Sequence, residues 1–282
     1  RFAYSTNATS NNVSVFTLNQ GSGALTAGTA VTAGTNPSAV AVDPTGRFAY
    51  VANSGSNNVS VFTISQTTGA LTAGTPVAAG TGPSSVTVDP TGRFVYVANA
   101  TGNNVSIFTA NLSSGAVTAQ TTIAAGTSPS SVTVDPTGRF VYVTSNGSSN
   151  NVSVFTISNQ TTGGLTDGTA VTAGTNPSAV AVDPTGRFAY VANSGSNNVS
   201  VFTLNQATGA LTAGTAVTAG TNPRSVTVDA TGRYVYVVNA GSNTVSRFIV
   251  DQTTGALASQ ATVSAGTGPI SVATTGRLAS RR

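Results

Sequence analysis

The sequence predicts an all-β protein, a six-bladed β-propeller of four-stranded antiparallel blades. Three observations carry this prediction. Residues 43–53 (DPTGRFAYVAN) recur in close copies at 89–99, 135–145, 183–193 and 229–239, in steps of 46 or 48 residues. Apolar residues alternate with small or polar ones, without helical periodicity. Each repeat has four short runs separated by turn residues, which is typical of a propeller blade of about 45 residues.

The second repeat shows how each element is predicted. Residues 38–42 have β-branched residues at alternate positions, residues 47–52 alternate between large and small side chains, and residues 58–64 are another β-branched run. Residues 71–79 form a weaker fourth run. The Asp43-Pro-Thr-Gly46 sequence between the first two runs fits a type I turn, because Asp caps it, Pro presets φ and Gly adopts the left-handed conformation. Each repeat is thus expected to form one antiparallel sheet.

The chain contains six copies of the first strand, starting near Ser38, Ser84, Ser130, Ser178, Arg224 and Ile270. Because the chain begins at the second strand of a blade, we expect the C-terminal strand, residues 270–274, to complete the N-terminal blade and leave no open sheet edge. We therefore expect a single β-propeller domain over residues 1–282. Residues 277–282 overlap the N-terminal repeat in phase and are predicted to be a frayed tail.

The composition excludes several kinds of site. Only 6% of the residues are charged, and the chain lacks Glu, Lys, His, Cys, Met and Trp. Disulfides and thiolate metal sites are therefore excluded, and no metal or cofactor is predicted. No apolar run reaches 18 residues, so no membrane span is expected. The surface rich in Ser, Thr and Asn favours a secreted or cell-surface protein.

The net charge of +4 raises the question of nucleic-acid binding. Five arginines follow an aspartate by four residues in the repeated turn, so their charges are expected to be matched locally: Arg47, Arg93, Arg139, Arg187 and Arg233. They are spread one to a repeat and form no basic patch with interleaved aromatics. No nucleic-acid partner is predicted.

The repeat also carries a family resemblance. The repeat resembles the YVTN type: it has Asp-Pro-Thr-Gly-Arg before Tyr50-Val-Ala-Asn53, followed by Asn58-Val-Ser-Val-Phe62 and Thr68-Gly-Ala-Leu71. More narrowly, nearly the whole chain is similar to the lactonase propellers related to bacterial 6-phosphogluconolactonase. The resemblance implies seven blades and lactone hydrolysis, whereas this sequence supplies six blades. The acidic and histidine residues expected of such lactonases have no match here, so no catalytic residue is assigned.

The remaining candidates for ligand binding lie where the first strands begin. Arg224 replaces the serine found at Ser38, Ser84, Ser130 and Ser178, and Asn36, Asn176 and Asn222 precede this position by two residues. In a propeller this position would surround the mouth of the central channel, where one arginine among neutral polar groups could receive an anion or carboxylate. The alternative interpretation is drift in a degenerate repeat, because a site inferred from fold position is an analogy.

Three functional hypotheses follow. The first is a non-catalytic scaffold or binding module, expected to be monomeric, whose Ser/Thr/Asn loops engage a glycan, a small molecule or a protein. The second is a lactonase-like hydrolase acting at the channel mouth. The third is an engineered or amplified repeat protein without a natural ligand, because residues 28–63 and 168–203 are identical. The absence of Glu, His and metal-ligand clusters favours the first hypothesis over an enzyme.

Overall fold

The computed structural model describes residues 1–274, and these residues form strands and turns with no α-helix. Twenty-eight strands make six antiparallel sheets, one for each repeat. The prediction of an all-β, six-bladed β-propeller is confirmed. In the described part of the chain, no helix could cross a membrane.

The strands follow the repeats closely. The first blade holds β1 (Phe2–Asn7), β2 (Asn12–Leu18), β3 (Leu25–Ala27) and β4 (Val31–Thr32). The second holds β5 (Pro37–Val42), β6 (Phe48–Asn53), β7 (Asn58–Ile64), β8 (Leu71–Ala73) and β9 (Val77–Ala78). The third holds β10 (Pro83–Val88), β11 (Phe94–Asn99), β12 (Asn104–Ala110), β13 (Val117–Ala119) and β14 (Ile123–Ala124).

The other three blades repeat this order. The fourth blade holds β15 (Pro129–Val134), β16 (Phe140–Ser145), β17 (Asn151–Ile157), β18 (Leu165–Asp167) and β19 (Val171–Thr172). The fifth holds β20 (Pro177–Val182), β21 (Phe188–Asn193), β22 (Asn198–Leu204), β23 (Leu211–Ala213) and β24 (Val217–Thr218). The sixth holds β25 (Pro223–Val228), β26 (Tyr234–Asn239), β27 (Thr244–Val250) and β28 (Leu257–Ser264).

The expected fourth strand is interrupted in most blades. In the second blade β8 and β9 both pair with β7, and the backbone N–H of Gly74 between them donates to the carbonyl oxygen of Val61 at 2.8 Å. The chain leaves the sheet at this point and returns three residues later. The third blade is interrupted in the same way at Gln120, whose backbone N–H donates to the carbonyl oxygen of Ile107 at 2.8 Å. In the sixth blade β28 is continuous, and its register against β27 shifts between Ser246 and Phe248.

The repeated aspartate turn forms as its sequence predicts. The carboxylate of Asp43 is buried and accepts hydrogen bonds from the backbone N–H groups of Arg47 and Phe48, both at 2.7 Å. Its second oxygen accepts from the backbone N–H and the hydroxyl of Thr45. Gly46 has a φ of 71°, which a residue with a side chain rarely adopts. The aspartate therefore holds the turn that joins β5 to β6.

The described residues divide into two compact units, residues 1–132 with 157–165, and residues 133–156 with those from 166 onward. In the first unit, Tyr50 and Val61 of the second blade pack in one core cluster with Val97 and Phe108 of the third. These side chains alternate along their strands with residues of the opposite face, as period-two patterning requires.

The second unit contains the same packing between its own blades. Tyr190 and Val201 of the fifth blade share a core cluster with Val237 and Phe248 of the sixth. One face of each blade thus meets the opposite face of the blade that follows it within the unit. A single domain over residues 1–282 stays a prediction.

The C-terminal segment lies beside the first strand of the sixth blade. The backbone N–H of Val272 donates to Ser225 Oγ at 3.4 Å, and the Thr274 hydroxyl donates to the carbonyl oxygen of Val228 at 3.2 Å. Val132 bonds Ser85 in the same way at 3.2 Å, so residues 270–274 take the position of a following first strand. They carry no strand assignment, and their pairing with the N-terminal blade stays a prediction. The expected frayed tail, residues 277–282, lies outside the described residues.

Candidate functional site

The serines at the start of the first strands are engaged in hydrogen bonds to the backbone. Ser38 Oγ lies 3.1 Å from the carbonyl oxygen of Ala52 and 2.7 Å from that of Pro83 in the next blade. A register shift between Pro37 and Ala39 lets Ser38 bulge from the ladder. The same pair of bonds is made by Ser84 and by Ser178, and Ser130 is also engaged. These hydroxyls join neighbouring strands and are not free for a ligand.

Arg224 departs from this arrangement. The carbonyl oxygen of Pro223, its neighbour in the chain, accepts the hydrogen bond from Ser178 at 2.8 Å, so the arginine stands next to the fifth blade's first strand. Its side chain is exposed and forms no hydrogen bond or ion pair with any described residue. A guanidinium presents several donors in a planar fork that suits carboxylate and phosphate groups. Arg224 thus presents a guanidinium without a partner among the described residues, where four other repeats have an engaged serine.

The three asparagines before these strands shape the loops. Asn36, Asn176 and Asn222 have φ angles of 53°, 51° and 53°, in the left-handed region that asparagine tolerates better than most residues. In each, the backbone N–H donates to an asparagine side chain of the preceding blade at 2.7 Å. Their own side-chain amides make no hydrogen bond to the described residues, so Asn222 can accompany Arg224 at a ligand. The structure brings these two residues within one loop and strand end of the second unit.

The local matching of aspartate and arginine charges stays a prediction, and it does not take the form of an ion pair. In the described turns no aspartate forms an ion pair with the arginine four residues later, because backbone and threonine donors occupy the carboxylate. The guanidinium of Arg47 instead stacks on Phe48, 5.1 Å from the ring centroid, and donates to the carbonyl oxygen of Leu112 in the next blade. Arg139 makes the equivalent contact with Gln206.

The asparagine that ends the second strand is structural. The side-chain nitrogen of Asn53 donates to Asn58 Oδ1 at 2.8 Å and Ser60 Oγ at 2.9 Å, and its oxygen accepts from the backbone N–H of Gly34 at 3.1 Å. Asn53 is completely buried. The amide thus serves one backbone group of the loop, that of Gly34, and its larger role is the side-chain network with Asn58 and Ser60. The repeated Asn-x-Ser spacing on the third strand was the available signal.

Arg224 makes no contact with an acidic group among the described residues. The described residues contain no cluster of three His, Cys, Asp or Glu side chains that could hold a metal ion. The five turn aspartates are committed to their turns, and backbone N–H groups of Thr254 and Thr253 hold the pKa of Asp251 below its usual value in another turn. Burial raises the pKa of Tyr50 to about 12, with a smaller contribution from Asp43, so this phenol stays protonated at neutral pH. The site therefore offers binding and electrostatic groups rather than an acid–base pair.

Solved structures with the same fold include lactonase-like proteins. A candidate 6-phosphogluconolactonase from Bacteroides uniformis superposes with a TM-score of 0.86 at 20% identity, over 95% of this chain and 83% of that chain. A second candidate 6-phosphogluconolactonase, from Bacteroides fragilis, gives 0.84 at 22% identity, over 96% and 83%. The periplasmic gluconolactonase PpgL of Pseudomonas aeruginosa gives 0.60 at 16% identity, over 95% and 96%. At these identities the likeness establishes the fold alone.

The sequence itself carries the family signal. No curated protein matches the chain. The family model described as "Lactonase, 7-bladed beta-propeller" matches residues 1–79, 72–170 and 165–274, which together span every blade. The described residues form six sheets where the family description gives seven blades. This chain belongs to the lactonase family of β-propellers.

Proposed function

We propose that this protein is a lactonase-like hydrolase that binds an anionic sugar-acid lactone through Arg224. The observation that carries the proposal is the unpaired guanidinium of Arg224, in a chain matched by the lactonase family from residue 1 to 274. The proposal replaces the preference for a non-catalytic scaffold, because the family match points to lactone chemistry. Secretion, a cell-surface location, and glycan or protein partners stay predictions.

The reaction requires water to add to the lactone carbonyl. The ring C–O bond then breaks, and the proton released from the water passes to the departing alkoxide, which yields a hydroxy acid. Negative charge develops on the carbonyl oxygen in the transition state, and a cation beside that oxygen stabilises it. Arg224 supplies such a charge, and Asn222 in the preceding loop supplies an amide donor. Without a nearby base among the described residues, the water is activated only by polarisation of the carbonyl, so slow turnover is expected.

A specific observation favours a second candidate function. All five turn carboxylates are held by backbone and threonine donors, so this propeller could bind a sugar acid at Arg224 without hydrolysing its lactone. A binding module of this kind would use the same residue and the same ligand class. The two functions therefore differ in turnover and not in the site.

The deciding experiment measures hydrolysis of a panel of γ- and δ-lactones by purified protein, with calcium and then with EDTA. We expect turnover above the spontaneous rate. Turnover should be at least about tenfold lower in Arg224→Ala, because this variant loses one charged contact with the substrate. Arg187→Ala is the matched control: it removes the same charge from a side chain stacked 5.0 Å from the Phe188 centroid, in the turn at the far end of β20.

Equal changes in turnover in Arg224→Ala and Arg187→Ala would place the reaction elsewhere and contradict the role of Arg224. Binding of hydroxy acids without turnover, lost in Arg224→Ala alone, would establish the binding module instead. If the protein shows no binding and no turnover, both candidate functions are overturned.

A further inference from the structure

The loop between the second and third strands of the fourth blade differs from its counterparts. It holds the single Asn-Gly dipeptide of the sequence, Asn146-Gly147, and spans residues 146–150 between β16 and β17. The matching loop of the fifth blade, residues 194–197, is one residue shorter. Asparagine loses its side-chain amide most readily when glycine follows it, because no Cβ hinders the glycine nitrogen as it approaches the side-chain carbonyl carbon. The loop therefore contains a dipeptide that can react with itself.

The groups that would react have no hydrogen bond to restrain them. The backbone N–H of Gly147 donates to no described residue, and the side chain of Asn146, which is only partly buried, makes no hydrogen bond to one. In the fifth blade the backbone N–H of Gly195 donates to the carbonyl oxygen of Thr175 at 3.0 Å. The equivalent bonds in two other blades are Gly55 to Thr35 at 3.0 Å and Gly241 to Thr221 at 2.9 Å.

Asparagines at the ends of other second strands are held in place. Asn193, which precedes a serine, is completely buried, and its side chain bonds to Asn198, Ser200 and Gly174. Such a side chain must give up these bonds before its carbonyl carbon can meet the next backbone nitrogen. Asn146 carries no such restraint, so both its sequence neighbour and its surroundings favour the reaction.

We propose that Asn146 is a site of spontaneous deamidation through a succinimide formed with Gly147. The Gly147 nitrogen loses its proton to hydroxide and adds to Cγ of Asn146. The side-chain nitrogen leaves as ammonia, with a proton returned by water. A second water then opens the ring: breaking the bond from Cγ to the Gly147 nitrogen gives aspartate, and breaking the bond from the main-chain carbonyl carbon gives isoaspartate. Either product adds one negative charge to this loop.

Isoaspartate would also change a contact between the fourth and fifth blades, both in the second unit. The backbone N–H of Asn150 donates to the carbonyl oxygen of Gly147 at 3.3 Å, and Asn150 Oδ1 accepts from the backbone N–H of Asn176 at 2.7 Å. Isoaspartate at position 146 places one more methylene in the backbone just before this turn. We expect the hydrogen bond from Asn176 to be lost and Tm to fall by about 2–4 °C in the isoaspartate form.

The test incubates the folded protein at neutral pH and measures amide loss at each asparagine by peptide mass spectrometry. Ser194→Asn and Ala240→Asn are the matched controls, because each creates the same dipeptide where the glycine nitrogen is hydrogen-bonded. We expect amide loss at position 146 to be at least about fivefold faster than at 194 or 240, since the bonded nitrogen must first leave its carbonyl. In urea the three rates should agree, because unfolding removes those bonds.

The parent protein alone gives a second readout that needs no variant to fold. Asn146 should react in the folded protein nearly as fast as in urea, because its loop imposes no restraint, whereas Asn193 should react only after unfolding. Thermal unfolding followed by circular dichroism checks that the two control variants are folded before their rates are compared. An Asn146 that keeps its amide in the folded protein, or folded-state rates that agree at 146, 194 and 240, would overturn the proposal.

Discussion

The clearest consequence of the structure concerns a buried asparagine that one blade lacks. In the fifth blade Asn193 donates to Asn198 Oδ1 and Ser200 Oγ, both at 2.9 Å, and accepts from the backbone N–H of Gly174 at 3.1 Å. In the fourth blade Ser145 takes this position, paired with Asn151 as Asn193 is with Asn198. Ser145 Oγ and Asn151 Oδ1 are buried there without a hydrogen-bond partner.

Two opposite substitutions should therefore shift stability in opposite directions. Asn193→Ser removes these three hydrogen bonds together with a longer fourth one to the Val191 carbonyl oxygen. At about 1 kcal/mol for each of the three shorter bonds, the free energy of unfolding should fall by about 3 kcal/mol. Ser145→Asn supplies a donor to Asn151 Oδ1 and should raise it by about 1–2 kcal/mol. At about 2–4 °C per kcal/mol for a chain of this size, the first change lowers Tm by about 6–12 °C and the second raises it by about 2–8 °C.

Thermal unfolding followed by circular dichroism measures both changes. Thr63→Ser, an exposed strand substitution that alters no hydrogen bond, is the control and should stay within about 2 °C of the parent protein. The reasoning fails if Ser145→Asn is neutral or destabilising while Asn193→Ser destabilises. That result would mean that the polar groups at Ser145 and Asn151 are already satisfied, as an ordered buried water would satisfy them.

Three further predictions use the turns and the tyrosines. Asp183→Ala leaves four donors without their carboxylate, so Tm should fall by about 6–12 °C; a fall under 2 °C would contradict the turn's role. Tyr190→Phe removes the hydrogen bond to the carbonyl oxygen of Gly255 and should lower Tm by about 2–4 °C; an unchanged Tm would show that this bond does not stabilise the fold. Burial, aided by Asp43, raises the pKa of Tyr50 from 10 to about 12, so the folded state keeps a proton that the unfolded chain loses, and stability is lost as pH rises from 10 to 12. Denaturant midpoints that are equal at pH 9 and pH 11.5 would contradict this.

The fold could be predicted because each repeat specifies its elements locally. Three local patterns each predict one element: the Asp43-Pro-Thr-Gly46 turn, the alternation in residues 47–52 and the β-branched run at 58–64. Neighbouring repeats support the same prediction. The sequence did not predict that the fourth strand is interrupted at Gly74, because a short apolar run that contains a glycine is equally consistent with one weak strand. The contacts between blades were not predicted. The sequence shows that an aromatic and a glycine recur, but not that the ring of Phe48 in one blade lies against Gly115 in the next.

The candidate ligand site was harder to predict than the fold, for a related physical reason. A repeated side chain is most often repeated because the blade needs it, as the bonds of Ser38, Asn53 and Asp43 to backbone or neighbouring side chains show. Residues that bind a ligand are therefore sought where one repeat differs from the others, since a polar group there is not needed for the hydrogen bonds of the blade. Arg224 is such a position, because it lost the serine's bonds by substitution, and it therefore carries the ligand proposal.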